Sequence, residues 1–183
     1  MIRKRVLQIS NFASRFGRGR TQPLSGSSNL IRFSELQSSA LWSAYGATKI
    51  GFSTTIADPN GTLTMNKFIT GSADSGVYQV LSAGGAANFK AGETFTISAW
   101  LATEAGTATA GFAYYDGGFF ATSPFTLTTT PTRYSRTFTI RAAPAPDLAS
   151  NVTVNGGVIS QTILWWGYQL ERGSTMTQYT KKS

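Results

Sequence analysis

Chemistry in this 183-residue sequence is offered first by its aromatic residues, Trp42, Tyr45, Trp100, Tyr114, Tyr115 and Trp166. Indole and phenol rings present broad apolar faces with a polar edge, the surface on which the apolar face of a pyranose stacks. The same rings are the commonest large core fillers, so each candidate platform is weighed against simple packing. Trp166 is assigned to the core. Tyr114 and Tyr115 are adjacent and point to opposite sides of any strand, so only one can face a core. Trp42, Tyr45, Trp100, Tyr114 and Tyr115 remain as candidate saccharide contacts.

Acid/base chemistry has less to draw on. The sequence has no histidine and no cysteine, which removes the commonest metal ligands, thiolate nucleophiles and the commonest base near neutral pH. Of eight carboxylates, Asp58, Asp74, Glu93 and Asp116 sit in turn motifs, where a short acid caps backbone groups. Glu35, Glu104, Asp147 and Glu171 are scattered and suggest no opposed glycosidase pair. Loop oxygens around Asp58 and Asp116 lack the spacing of a specific calcium loop. No catalytic residue, metal site or cofactor is assigned.

The charge is unevenly distributed. Arg3, Lys4, Arg5, Arg15, Arg18 and Arg20 give residues 1–20 a net charge of +6, whereas residues 21–183 carry ten basic and eight acidic groups, a net +2. Apolar residues, among them Phe12 and Phe16, interleave with the arm's cations. A purely electrostatic phosphate binder would leave them unused, so docking to a protein surface is favoured over nucleic acid, with Arg3, Lys4, Arg5, Phe12, Arg15, Phe16, Arg18 and Arg20 as the contacts. The same composition also fits a solubilising tail or an organelle transit peptide. No apolar run reaches the roughly 20 residues of a membrane-spanning helix. Pro23, Gly26 and three serines make 21–28 a linker, so the chain divides into an arm and linker, 1–28, and one domain, 29–183.

Only strands fit the pattern of that domain. A strand is predicted over Thr94–Ala102, in which Phe95, Ile97, Ala99 and Leu101 share one face, with Thr94, Thr96, Ser98 and Trp100 on the other. Further strands are predicted at 63–68, 77–82, 109–115, 119–127, 134–140, 152–159 and 163–170, with strand-like alternation also over 29–34. Turn chemistry separates them: Asp58-Pro59-Asn60-Gly61, Ser72–Gly76, Lys90–Glu93, Asp116-Gly117-Gly118 and Asn155-Gly156-Gly157. Trp165 and Trp166 fall on opposite faces of the last strand, so at least one serves the core. The expected fold is all-β: a two-sheet antiparallel β-sandwich, a jelly roll, preceded by an extended basic N-terminal arm.

Several segments resemble, in order, the carbohydrate-binding-module-like jelly-roll domain of phage virion proteins. They are Asn29–Glu35, Trp42, the turn at 58–62, Val77-Tyr78-Gln79, Gly92–Trp100, Thr132–Thr139 and above all Trp166–Ser174 with Thr177 and Tyr179. The resemblance covers 29–183 and leaves the arm outside it. It implies a non-enzymatic virion structural protein, a capsid decoration or cement protein anchored by its arm, with the alternative of a tail or head-fibre component whose sandwich binds host-surface carbohydrate. The implied partners are other virion proteins, the major capsid protein first among them, and further copies of the chain in a homotrimer. The implied location is the virion.

Overall fold

The computed structural model describes residues 29–32, 34–81, 90–115, 118–141 and 151–183. The arm with its eight named residues, the linker, and Asp116-Gly117 of one predicted turn lie outside them. Eleven strands follow one another: β1 Trp42–Tyr45, β2 Ala47–Phe52, β3 Asn66–Thr70, β4 Ser75–Val80, β5 Thr94–Ala102, β6 Ala108–Tyr115, β7 Phe119–Ala121, β8 Phe125–Leu127, β9 Thr132–Thr139, β10 Asn151–Gly156 and β11 Thr162–Arg172. No helix occurs among the described residues.

The strands form two antiparallel sheets, one ordered β1-β4-β10-β6-β7 with β8 also on β6, the other β2-β3-β11-β5-β9. The chain passes repeatedly between them, giving the jelly-roll sandwich expected from the sequence. Phe95, Ile97, Ala99 and Leu101 are all buried between the sheets with Trp42, Phe68, Val77, Phe112, Ile163, Trp165, Tyr168 and Leu170. Each fully buried large side chain contributes about 1.5–3 kcal/mol by leaving water.

Pairing of β11 with β5 shifts register between Trp166 and Gln169, around Gly167 at φ 62°. Strict alternation would put Trp165 and Tyr168 on opposite sides; the irregularity turns both inward, where they flank Trp42 at centroid distances of 4.6 and 5.4 Å. Trp166 faces the other way. There it joins Met65, Ala102 and Leu164 in a second apolar cluster, with Ile56, Trp100 and Tyr179 packed against it.

This outer cluster exists because the C-terminal segment returns across the second sheet. Its Thr177 sits between two charges of that sheet's outer face: the Glu171 carboxylate accepts from the Thr177 amide at 3.2 Å and hydroxyl at 2.5 Å, while Arg133 donates to the Thr177 carbonyl at 2.7 Å. Thr96, Ser98, Gln169 and Glu171 point away from the main core yet are buried under this cover. The segment is also tied to the start of the domain, with Ser34 N donating to the Lys182 carbonyl at 3.1 Å and the Asn29 side chain donating to the Thr180 carbonyl at 3.1 Å.

Several sequence expectations need correction. Residues 29–32 and 34 form no strand; they are a lead-in pinned to β11, with Leu30 N donating to the Leu170 carbonyl at 2.9 Å. The single strand expected over 119–127 is two short ones, β7 and β8, with Pro124 between them where a ladder donor is missing. Asn155 and Gly156 end β10, and the chain turns after them, with Ser160 at φ 60°. β2 was not foreseen.

Candidate functional site

Alternation on β1 sends Trp42 and Ala44 into the sandwich and Ser43 and Tyr45 outward. On β4 the inward residues are Val77 and Gln79, so Tyr78 faces out beside Tyr45, with ring centroids 5.9 Å apart. Directly opposite Tyr45 in register is Gly76, and opposite Gly76 on the next strand is Asn155. Without a side chain at Gly76, Tyr45 lies over β4 and its hydroxyl meets the Asn155 side chain at 2.8 Å. From the far edge of the sheet, Phe119, 48% exposed, reaches the Tyr45 ring edge-on at 6.5 Å. Three aromatic rings with a polar centre thus share the outer face of the first sheet.

The Asn155 amide is best satisfied with its nitrogen toward the Asp74 carbonyl at 2.8 Å, the Ser75 carbonyl at 2.9 Å and the Tyr45 oxygen at 2.8 Å. Its oxygen in that position would face only other acceptors. The two amide hydrogens are shared among these three oxygens, so the Tyr45 hydroxyl can accept from Asn155 and leave its own proton free for another acceptor. Burial, reinforced by the Asp74 carboxylate, pushes the Tyr45 phenol well above its ordinary pKa, so it stays neutral and a donor at any physiological pH.

The other aromatic candidates fall elsewhere. Trp42 is 1% exposed, its ring enclosed by Trp165 and Tyr168, so it offers no platform to a ligand. Trp100 lies against Trp166 at 5.4 Å and Tyr179 at 5.6 Å, with the Arg133 guanidinium 4.8 Å from its ring centre. Its faces are thereby occupied from within the chain. Tyr114 stacks on Phe138 of the opposite sheet at 4.1 Å and on Phe120 at 5.2 Å, closing the gap between the sheets. Tyr115 points outward, half-buried, in register with Phe119. The structure thus brings Tyr45 and Tyr115 to the outer face of the first sheet, and adds Tyr78, Phe119, Asn155 and Asp74. Tyr78 was legible from the inward pair Val77 and Gln79. Asn155, 110 residues from Tyr45, had no local signal.

Carboxylates are engaged in holding turns and strands. The Asp58 oxygens accept from the Asn60 amide at 2.7 Å and from the hydroxyls of Thr62 and Thr64. Partial burial works to raise its pKa, but these donors prevail and hold it below the usual aspartate value. Glu35 pairs with Lys181 at 2.6 Å and accepts from Tyr179, Glu104 pairs with Lys67 at 3.1 Å, and Glu93 pairs with Arg172 at 2.6 Å. Among the described residues, no three His, Cys, Asp or Glu side chains are grouped so as to hold a metal ion.

No family model and no curated protein sequence matches the chain. Solved structures do. The C-terminal family 22 carbohydrate-binding module of Clostridium thermocellum Xyn10B superposes with a TM-score of 0.63 at 15% identity, over 82% of this chain and 96% of that one. A xylan-binding family 22 module from Paenibacillus barcinonensis Xyn10C gives 0.59 at 12% identity, over 82% and 97%. The enzymatically active domain of a bacteriophage CBA120 tailspike gives 0.50 at 12% identity, over 79% of this chain and 21% of that one. At these identities the likeness defines the fold: this is a carbohydrate-binding-module-like jelly roll. Ligand and biological setting do not follow from it.

Proposed function

We propose that the chain is a non-enzymatic virion protein whose sandwich binds host-surface carbohydrate through the outer face of its first sheet. The observation that carries this reading is the cluster of Tyr45, Tyr78 and Phe119 around a tyrosine hydroxyl that can accept from Asn155 and leave its own proton free. Flat rings take the apolar faces of sugar rings, and one fixed donor orients a hydroxyl or ring oxygen. Among the described residues of this face no two acids stand opposed as a glycosidase pair, which supports retention of a glycan over its cleavage. Of the structural neighbours, one is a xylan-binding domain and another binds its ligand in a cleft, which supports the carbohydrate part of the reading. The arm, through Arg3, Lys4, Arg5, Phe12, Arg15, Phe16, Arg18 and Arg20, docks the domain to another virion protein in a tail or head fibre.

A second reading, capsid decoration by homotrimers seated on the major capsid protein, is favoured by the arm's net +6 and its interleaved apolar residues. Glycan arrays of microbial surface polysaccharides test the first reading. Wild-type chain is expected to be retained, and Tyr78→Ala to weaken binding by about tenfold, the loss of one stacked ring. Absence of any retained glycan, or undiminished binding by the Tyr45→Phe/Tyr78→Ala double variant, overturns it. Copy number in purified particles separates the settings: proportionality to capsid subunits supports decoration, and a small number at the tail or at fibres supports the first reading. Loss of residues 1–20 without loss of incorporation refutes docking by the arm.

A further inference from the structure

A cavity of about 550 Å³ opens on the outer side of the second sheet, away from the tyrosine cluster. This is within the usual size of small-molecule sites. Trp166, Leu36 and Phe52 give it an apolar lining, the last two 37% and 40% exposed. The 58–64 turn, Glu35 and the C-terminal segment from Lys181 to Ser183 supply its polar lining.

Both polar walls are ordered in advance. The turn is closed by Asp58 N donating to the Thr62 carbonyl at 2.7 Å and Gly61 N donating to the Asp58 carbonyl at 2.9 Å, in addition to the carboxylate cap. Lys182 is fixed by its main chain, whose amide donates to the Ser34 hydroxyl at 3.1 Å and whose carbonyl accepts from Ser34 N at 3.1 Å. A ligand would not have to order either wall, which lowers the entropic cost of binding.

The charges of the lining are unequal in availability. Glu35 is neutralised by Lys181 at 2.6 Å, and the Asp58 oxygens are turned into their own cap of amides and hydroxyls. Lys182 and Asn60 also line the cavity, and neither side chain has a hydrogen-bond or ion-pair partner among the described residues. One free cation, one free amide and an aromatic-aliphatic wall make a specific combination.

We infer that this cavity is a second saccharide site, selective for a sugar unit that carries a carboxylate. A hexuronate ring would lie on Phe52 and Leu36, with its carboxylate on Lys182 and a hydroxyl on Asn60. The inference shares the ligand class of the tyrosine face but uses none of its residues, so either site can fail alone.

Calorimetric titration of the full chain with trimers of galacturonate, glucuronate and mannuronate, each against its methyl ester, tests it. At least one acid is expected to bind more tightly than its ester. Lys182→Gln should reduce that affinity by at least about fivefold and leave the ester unchanged, as for a lost charge-assisted bond. Phe52→Ala should weaken acid and ester alike, and Tyr78→Ala should weaken neither at this site. Equal affinity for acid and ester, indifference to Lys182→Gln, loss of the signal in Tyr78→Ala alone, or no binding by any of the acids overturns the inference.

Discussion

Replacing Gly167 by Ala tests how the last strand is built. Gly167 has φ 62°, where a Cβ is disfavoured by about 1 kcal/mol. A Cβ there would also stand 2.9 Å from Trp100 Cε3 and 3.0 Å from Cζ3. The indole has little room to retreat, because Trp166 and Tyr179 pack against it at 5.4 and 5.6 Å and the Arg133 guanidinium lies 4.8 Å from its centre. Overpacking of this kind costs about 1–3 kcal/mol, for an expected total of about 2–4 kcal/mol. Gly106 supplies the control, since it has nearly the same φ, 60°, with nothing within 4 Å of an added Cβ. Gly106→Ala should therefore cost only the backbone share. Urea unfolding followed by tryptophan fluorescence reads both variants. If Gly167→Ala is no worse than Gly106→Ala by more than about 0.5 kcal/mol, the packing of Trp100 beneath the C-terminal segment is not as described.

Three further outcomes are expected. Thr177→Val removes the hydroxyl that donates to the buried Glu171 carboxylate at 2.5 Å, and thermal unfolding should show a loss of about 1–3 kcal/mol. Asp58 has a folded pKa below its ordinary 3.8, so its contribution is complete above that value and is lost as pH falls through the lower folded value. Accordingly, the stability gap between wild type and Asp58→Asn should hold constant down to about pH 5 and shrink as the pH falls on through the ordinary aspartate value and below it in denaturant titrations, and a gap that stays constant in that lower range would exclude the carboxylate as its source. Trp42→Ala should cost about 3–5 kcal/mol in unfolding experiments, because it empties the space between Trp165 and Tyr168.

How much of this was legible in the sequence depended on how purely each strand alternates. β5 was read at its true limits, Thr94–Ala102, because four inward apolar residues follow one another without interruption. β2 escaped notice because it is an edge strand that is exposed from Thr48 onward and bulges near Gly51, so Ala47-Thr48-Lys49-Ile50 shows no repeat. The gain of two inward rings from Trp165 and Tyr168 was equally hidden, since a bulge breaks the period on which such readings rest. Tyr45 could be nominated by type alone. Its setting could not, because Gly76 and Asn155 join it only through the register of three strands.

Asn29 and Ser34 bond to Thr180 and Lys182 of the C-terminal segment beside the second sheet. The two segments thus meet at β11 of the second sheet, whereas the tyrosine cluster lies on the outer face of the first. Any tether attached through those segments holds the domain at the second sheet. Load on a tether at the amino side would fall first on Asn29, whose side chain donates to the Tyr168 and Thr180 carbonyls and accepts from Leu170 N, so the pull would enter through β11 of the second sheet before it reached the strands that carry the outward-looking face.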